Sequence, residues 1–226
     1  MNKNVVVISA HPDDEILGLG GTLVRHRDAG DKIFWIIATN ISTSQGFSSE
    51  RVRTRQEEII AVSEQLGMET FKLDFPTMSL EPANLNQLIP AISDIFKKVQ
   101  PSRIYVLNRS DAHSDHRILF DAVMACTKSF RYTYIREVWM YECLSETEFA
   151  PALPEKAFIP NCYVDITNQM EEKVKLMRIY ESELGEHPFP RSERNIKALA
   201  TFRGATAGVE YAEAFQILKS IHIETL

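Results

Sequence analysis

The sequence predicts an α/β fold: a single Rossmann-like domain over residues 1–226, with a mostly parallel sheet flanked by helices on both faces. Three observations carry this. Short apolar runs rich in β-branched residues recur at Val5–Ile8, Ile33–Ala38 and Ile104–Leu107, the pattern of strands buried on both faces. Segments with helical spacing separate them, and strand–helix alternation gives parallel sheets with helices on either side. The length, with 44% apolar and 25% charged residues, suits a globular chain that buries a large core without staples.

Taken in order, Val5–Ile8 is the first strand. Helical spacing follows Asp14 through Ile16, Leu17, Leu19, Leu23 and Val24 and stops near Gly30. Ile33–Ala38 is the second strand. Ser48 or Ser49 caps a charged helix that runs to Leu66, and Gly67 ends it. Phe71–Leu73 is a short strand, and Leu85–Val99 a helix that tolerates Pro90 only near its start or at a kink. Ile104–Leu107 is a buried strand, Ser114–Ser129 a helix and Ile135–Tyr141 a strand. The proline-rich stretch Pro151–Pro160 is irregular. Tyr163–Ile166 is a last short strand, Thr167 or Asn168 caps a long helix through Leu184, and His187–Arg191 is a loop. Helical periods close the chain, notably Tyr211 to Leu218.

The formal charge of −6 and a pI near 5.6 argue against a dedicated nucleic-acid binder. Three cysteines, Cys126, Cys143 and Cys162, fit no paired metal motif and suit a reducing compartment. The first apolar run is too short for a membrane span or a signal-peptide core. The expected location is therefore cytoplasmic, with no membrane span.

In open α/β sheets ligands collect beyond the carboxyl ends of the strands, and two clusters stand there. After the first strand comes His11-Pro12-Asp13-Asp14-Glu15. Pro12 has no N–H and a fixed φ, so a turn there lets His11 and Asp14 converge and leaves Asp13 facing whatever lies between them. A charged helix start explains one or two of these acids but neither His11 nor the strand-end position. Gly18, Gly20 and Gly21 follow too late for a dinucleotide turn and point to close helix–sheet packing. After Ile104–Leu107 comes Asn108-Arg109-Ser110-Asp111-Ala112-His113-Ser114-Asp115-His116. Histidines three apart share a face if a helix begins near Ser114; one could bind a metal while the other sits beside the reacting group.

On these motifs the chain resembles the PIG-L/LmbE family of metal-dependent N-deacetylases. The family's His-Pro-Asp-Asp-Glu stands as His11 to Glu15, and its His-Pro-Asp-His as His113-Ser114-Asp115-His116, with serine in place of proline. The likeness runs through Arg55 to Glu58 and Leu66-Gly67, and resumes at Arg203-Gly204 and Tyr211 to Phe215. Many relatives carry His-x-Ser-Gln where this chain has Tyr180-Glu181-Ser182-Glu183, a departure that bears on substrate.

The resemblance implies that His11, Asp14 and His116 hold one metal, Zn2+ or, on the same donors, Fe2+. It implies Asp13 as general base and His113 as oxyanion stabiliser, most effective as an imidazolium. Asp111 and Asp115 are candidates to fix a histidine tautomer, Glu15 to brace the first turn, and Arg55 and, more weakly, Asn40 to meet substrate. No organic cofactor is expected. The implied partner is a small N-acetylated sugar or N-acetylglucosamine-containing conjugate, and self-association to a homo-oligomer is a further expectation. An amidase acting on another N-acyl glycoconjugate shares the chemistry. A non-catalytic nucleotide-binding module built on Gly18 to Gly21 is the reading from another class, and tight nucleotide binding without amine release would favour it.

Overall fold

The computed structural model describes residues 3–222. One seven-stranded sheet organises them, in the order β3-β2-β1-β4-β5-β7-β6. The strands are β1 (Asn4–Ser9), β2 (Lys32–Asn40), β3 (Met68–Pro76), β4 (Arg103–Leu107), β5 (Glu137–Tyr141), β6 (Cys162–Asp165) and β7 (Ala212–Ser220). The helices are α1 (Asp14–Asp28), α2 (Ser49–Leu66), α3 (Leu85–Val99), α4 (Ser114–Ala125), α5 (Met170–Met177) and α6 (Glu193–Ala207). Pairing is parallel from β3 through β5, and β7 runs antiparallel to both β5 and β6.

Val5 to Ile8 and Trp35 to Ala38 are almost completely buried, as runs covered on both faces must be. α1 packs against α2 and α5, while α3 packs against α4. This is the two-sided covering that right-handed crossovers produce when the winding direction reverses. The reversal falls between β1 and β4, so a crevice opens beyond their carboxyl ends. The two polar clusters leave the sheet there.

Two expectations are corrected. Tyr211 to Leu218 is not helical: Ala212–Ser220 is β7, inserted between β5 and β6. Its Phe215 ring lies 5.4 Å from those of both Tyr105 and Trp139, and these long-range partners decide an apolar run whose local periodicity is ambiguous. The long helix through Leu184 also fails to form. α5 stops at Met177, and Glu181–Glu183 is a single 3-10 turn. Tyr180 is fully buried between these elements, with its hydroxyl committed to Glu15, which draws the chain off the helix axis. The predicted strand at Phe71–Leu73 is longer than expected, spanning Met68–Pro76.

α1 carries a kink at Leu19, where φ and ψ are −145° and 25°. The N–H groups of Gly21 and Thr22 donate to the Glu213 carboxylate at 2.9 and 2.7 Å. Lys173 donates to that carboxylate and to the Leu17 carbonyl. A buried ion pair thus satisfies backbone groups beside the kink. No helix among the described residues is long and apolar enough to cross a membrane.

Candidate metal centre and active site

The turn after β1 is built around one unusual residue. Asp13 has φ 125°, a region that costs a non-glycine residue roughly 1–3 kcal/mol. Its carbonyl caps α1 by accepting from Ile16 and Leu17. The peptide plane joining Pro12 to Asp13 is held on both edges. Arg55 Nη1 donates to the Pro12 carbonyl at 2.8 Å, and the Asp13 N–H donates to Glu15 Oε2 at 3.1 Å. Glu15 is fully buried and its other oxygen accepts from the Tyr180 hydroxyl; burial pushes its carboxyl up to about 8. Burial, then Asp14 and Glu183, also push Asp13 well above the usual carboxylate range, against Arg55 and Arg191.

His11, Asp14 and His116 come together, with one ligand atom from each lying within 4.8 Å of the others. Hydrogen bonds fix which atoms are free. Asp14 Oδ2 accepts from the N–H groups of Ala10 and His11, which leaves Oδ1 turned toward His116 Nε2 at 3.4 Å. Carboxylates only accept, so His116 must donate from Nδ1 to Asp111 at 2.9 Å and His11 from Nε2 to Asp115 at 3.1 Å. His11 Nδ1, 3.8 Å from Asp14 Oδ2, is therefore the free atom of its ring. His116 Nε2 is buried and has no hydrogen-bond partner, a costly state unless a cation or proton fills the gap. Burial alone would push His116 down, but Asp14 and Asp111 override it and draw positive charge to this point. Two imidazoles and a carboxylate, each steered by an outer carboxylate or backbone N–H, fit a divalent metal.

A second group, His11, His113 and Asp115, also lies close enough to hold an ion. Its carboxylate is already committed, because Asp115 accepts from the Met78 and Leu80 N–H groups as well as from His11. The first set is the better cage.

His113 stands at the amino end of α4, where its Nδ1 accepts the Asp115 N–H at 3.1 Å. The ring proton of the neutral form therefore sits on Nε2. Burial and the neighbouring His11 and His116 push His113 down to about 4. It is a neutral ring near pH 7, not the imidazolium that the sequence favoured.

His11, Asp13, Asp14 and His113 line a cavity of about 370 Å³, within the range of small-molecule sites. Asn40, at the end of β2, lines it with its amide tied to Asp74 and Gln56. Arg55 also lines it, but is 6% exposed and holds Pro12, Glu58 and Glu183. Its first task is structural support. Sequence reasoning missed Arg51, Cys143, Glu146, Glu183 and Arg191, all in the cavity wall. Only Glu183 had left a signal, as the odd residue of Tyr180-Glu181-Ser182-Glu183.

Residues 6–127 match the family model described as PIG-L: GlcNAc-PI de-N-acetylase. A diacetylchitobiose deacetylase of Thermococcus kodakarensis is 26% identical over 98% of this chain and 85% of its own length. The solved N,N'-diacetylchitobiose deacetylase of Pyrococcus horikoshii is similar with a TM-score of 0.76 at 23% identity, covering 96% of this chain and 84% of that one. A 4-carboxy-2-hydroxymuconate hydratase of Pseudomonas putida gives 0.70 at 19% identity over 99% of both chains. These structural likenesses speak for the fold alone, and the last shows that the fold also carries a different reaction.

Proposed function

The chain belongs to the PIG-L family, and we propose that it is a metal-dependent N-deacetylase that removes acetyl from an N-acetyl sugar or an N-acetylglucosamine-containing conjugate. The observation that carries this reading is the convergence of His11, Asp14 and His116 around an unpartnered buried imidazole nitrogen, with Asp13 strained and buried beside them. The deacetylase relative that spans nearly the whole chain supports the same substrate class.

His11, Asp14 and His116 would hold the ion through Nδ1, a carboxylate oxygen and Nε2. Zinc is the ion proposed, and the donor set equally admits ferrous iron. Bound there, the metal supplies a Lewis acid that polarises the acetamide carbonyl and acidifies the attacking water. Asp13 takes the proton from that water as its oxygen adds to the carbonyl carbon. Burial raises the Asp13 carboxyl and so makes its carboxylate a stronger proton acceptor than a solvated one. His113 donates from Nε2 to the oxygen that gains negative charge. As the carbon–nitrogen bond breaks, Asp13 returns the proton to the departing nitrogen, giving the free amine and acetate. Arg55 holds the Pro12 carbonyl and so fixes Asp13; direct contact with sugar hydroxyls is a second role, left to the donors not already engaged.

The three free cysteines support a reducing, cytoplasmic setting, and a homo-oligomer is the assembly proposed. The decisive experiment measures metal content by elemental analysis together with amine release from N-acetylglucosamine compounds. About one zinc or iron per chain with metal-dependent release is expected. Failure to take up either metal after reconstitution would overturn the reading.

A further inference from the structure

The ion pair at the kink of α1 takes the place of a piece of the helix. In an unbroken α-helix the Gly21 N–H donates to the Leu17 carbonyl and the Thr22 N–H to the Gly18 carbonyl. At the kink both N–H groups donate to the Glu213 carboxylate, to Oε1 at 2.9 Å and to Oε2 at 2.7 Å. The Leu17 carbonyl accepts from Lys173 Nζ at 2.9 Å, and the same ammonium donates to Glu213 Oε1 at 2.6 Å. A relay of carbonyl, ammonium, carboxylate and N–H therefore joins Leu17 to Gly21.

Neither member of the pair comes from α1. Lys173 lies on α5 and Glu213 on β7, 156 and 192 residues from the groups they hold. Both side chains are buried, at 5% and 3% exposure. A charge pair in such a place loses hydration that its mutual attraction scarcely offsets, and apolar residues of similar volume would serve stability as well. The helix does not need the pair either, because a straight α1 would satisfy its own backbone. Glycines make room for it. A Cβ on Gly20 would stand 3.3 Å from Lys173 Cγ, and one on Gly21 2.8 Å from Ile166.

What the kink directs is the first turn of α1. That turn carries Asp14, offered to the metal, Glu15, which receives the Asp13 N–H, and Leu17, which lines the cavity. Asp13 caps the turn through its carbonyl. Lys173 and Glu213 do not line the cavity, so they act on the site through the backbone they hold.

We propose that Lys173 and Glu213 are positioning residues for the metal centre: by holding α1 open at Leu19 they set the direction of its first turn, and with it the places of Asp14 and Asp13. The proposal rests on the reading of His11, Asp14 and His116 as metal ligands. Without the pair, the Gly21 N–H and the Leu17 carbonyl have only each other as partners. The helix then straightens, and the Asp14 carboxylate turns away from His116.

The test compares wild type with Lys173→Met, Glu213→Gln and the apolar pair Lys173→Met/Glu213→Leu. Lys173→Arg is the conservative variant. Ile92→Ala is the control, since it removes fully buried packing from α3, which carries no site residue. Zinc affinity is read on metal-free protein by competition with a chelator, and ligand geometry by the visible absorption of bound cobalt(II). Each single change leaves a buried charge without its partner and should destabilise the fold, whereas the apolar pair removes both charges and should recover stability. Zinc affinity should nonetheless stay about tenfold or more below wild type in all three, with an altered cobalt spectrum. It should be higher in Lys173→Arg than in Lys173→Met and unchanged in Ile92→Ala. Wild-type zinc affinity in the apolar pair, or an equal loss in Ile92→Ala, overturns the positioning role. If the single variants do not fold, the apolar pair still decides, and wild type supplies a further reading. The Gly21 and Thr22 amide protons should exchange slowly in the metal-free protein, and exchange as fast as in a free peptide overturns the relay. A wild type that takes up neither zinc nor cobalt overturns the metal centre and the positioning role together. Metal uptake by wild type with unchanged affinity in the variants overturns the positioning role alone.

Discussion

The hydroxyl of Tyr180 donates to Oε1 of Glu15 across 2.8 Å, and the other oxygen of that carboxyl receives the Asp13 N–H. On the opposite edge of the same peptide plane, Glu183 steadies Arg55, which donates to the Pro12 carbonyl. Tyr180 and Glu183 lie three residues apart in one turn. One segment thus grips the strained Asp13 peptide from both edges.

Tyr180→Phe removes the outer hydrogen bond and keeps the ring. Its loss leaves a buried carboxyl oxygen short of a donor, a cost of about 1–3 kcal/mol. Part of that cost appears as misplacement of Asp13, and kcat is expected to fall about tenfold. Metal content should not change, because no ligand atom is touched. Full kcat in Tyr180→Phe would show that Asp13 keeps its place without the brace.

Asp13→Asn separates base from ligand. The backbone clamp and the three ligand residues stay, while the proton acceptor is removed. Turnover should drop by about 100-fold or more with metal stoichiometry intact. Loss of the metal in this variant would place Asp13 among the ligands instead.

Asp111→Asn tests what holds His116. Asp111 Oδ2 takes the Nδ1 proton while Oδ1 is held by Asn108 and Thr147. An asparagine cannot supply both faces as acceptors, so the imidazole loses its fixed tautomer. Metal affinity should weaken by about 10- to 100-fold, read by competition with a chromophoric chelator. Unchanged affinity would mean that packing alone orients the ring.

Gly18→Ala probes the packing that the sequence assigned to the three glycines. A Cβ there would stand 2.2 Å from the Tyr141 ring and 2.9 Å from the Glu142 carbonyl. Tyr141 is fully buried and its hydroxyl donates to the Ile8 carbonyl, so the ring cannot swing clear. Overpacking of this kind costs about 1–3 kcal/mol, or roughly 2–12 °C in Tm at this chain length. An unaltered Tm would show that α1 shifts freely against β5.

What the sequence revealed and what it hid divide along physical lines. Val5–Ile8 and Ile104–Leu107 announce themselves because burial on both faces demands continuous apolar runs, and the polar clusters behind them mark the crevice. The tautomer partners Asp111 and Asp115 were legible for the same local reason. Arg191 and Cys143 were not: each reaches the cavity from a segment with no motif, through contacts made only in the folded chain, Cys143 with Asp14 129 residues away and Arg191 with Ser145 46 residues away. β7 was misread because its pairing with β5 and β6 is non-local, and Tyr180 ended a helix that its own local spacing would have continued.

The neutral state of His113 gives stability a dependence on acid. Burial and two neighbouring imidazoles push the folded ring down to about 4, whereas in the unfolded chain it titrates near its ordinary value of about 6.5. Between those values the unfolded chain takes up a proton that the folded protein refuses. Stability therefore falls as pH drops below about 6.5 and levels off below about 4. The ring is 23% exposed, and solvent screening limits the effect to about 1–2 kcal/mol. His113→Asn keeps an acceptor for the Asp115 N–H and cannot titrate in this range. Urea unfolding of the two metal-free proteins should show wild type losing more stability than the variant between pH 7 and pH 4. Parallel curves would mean that the folded ring titrates as the unfolded one does, and that burial does not hold His113 neutral.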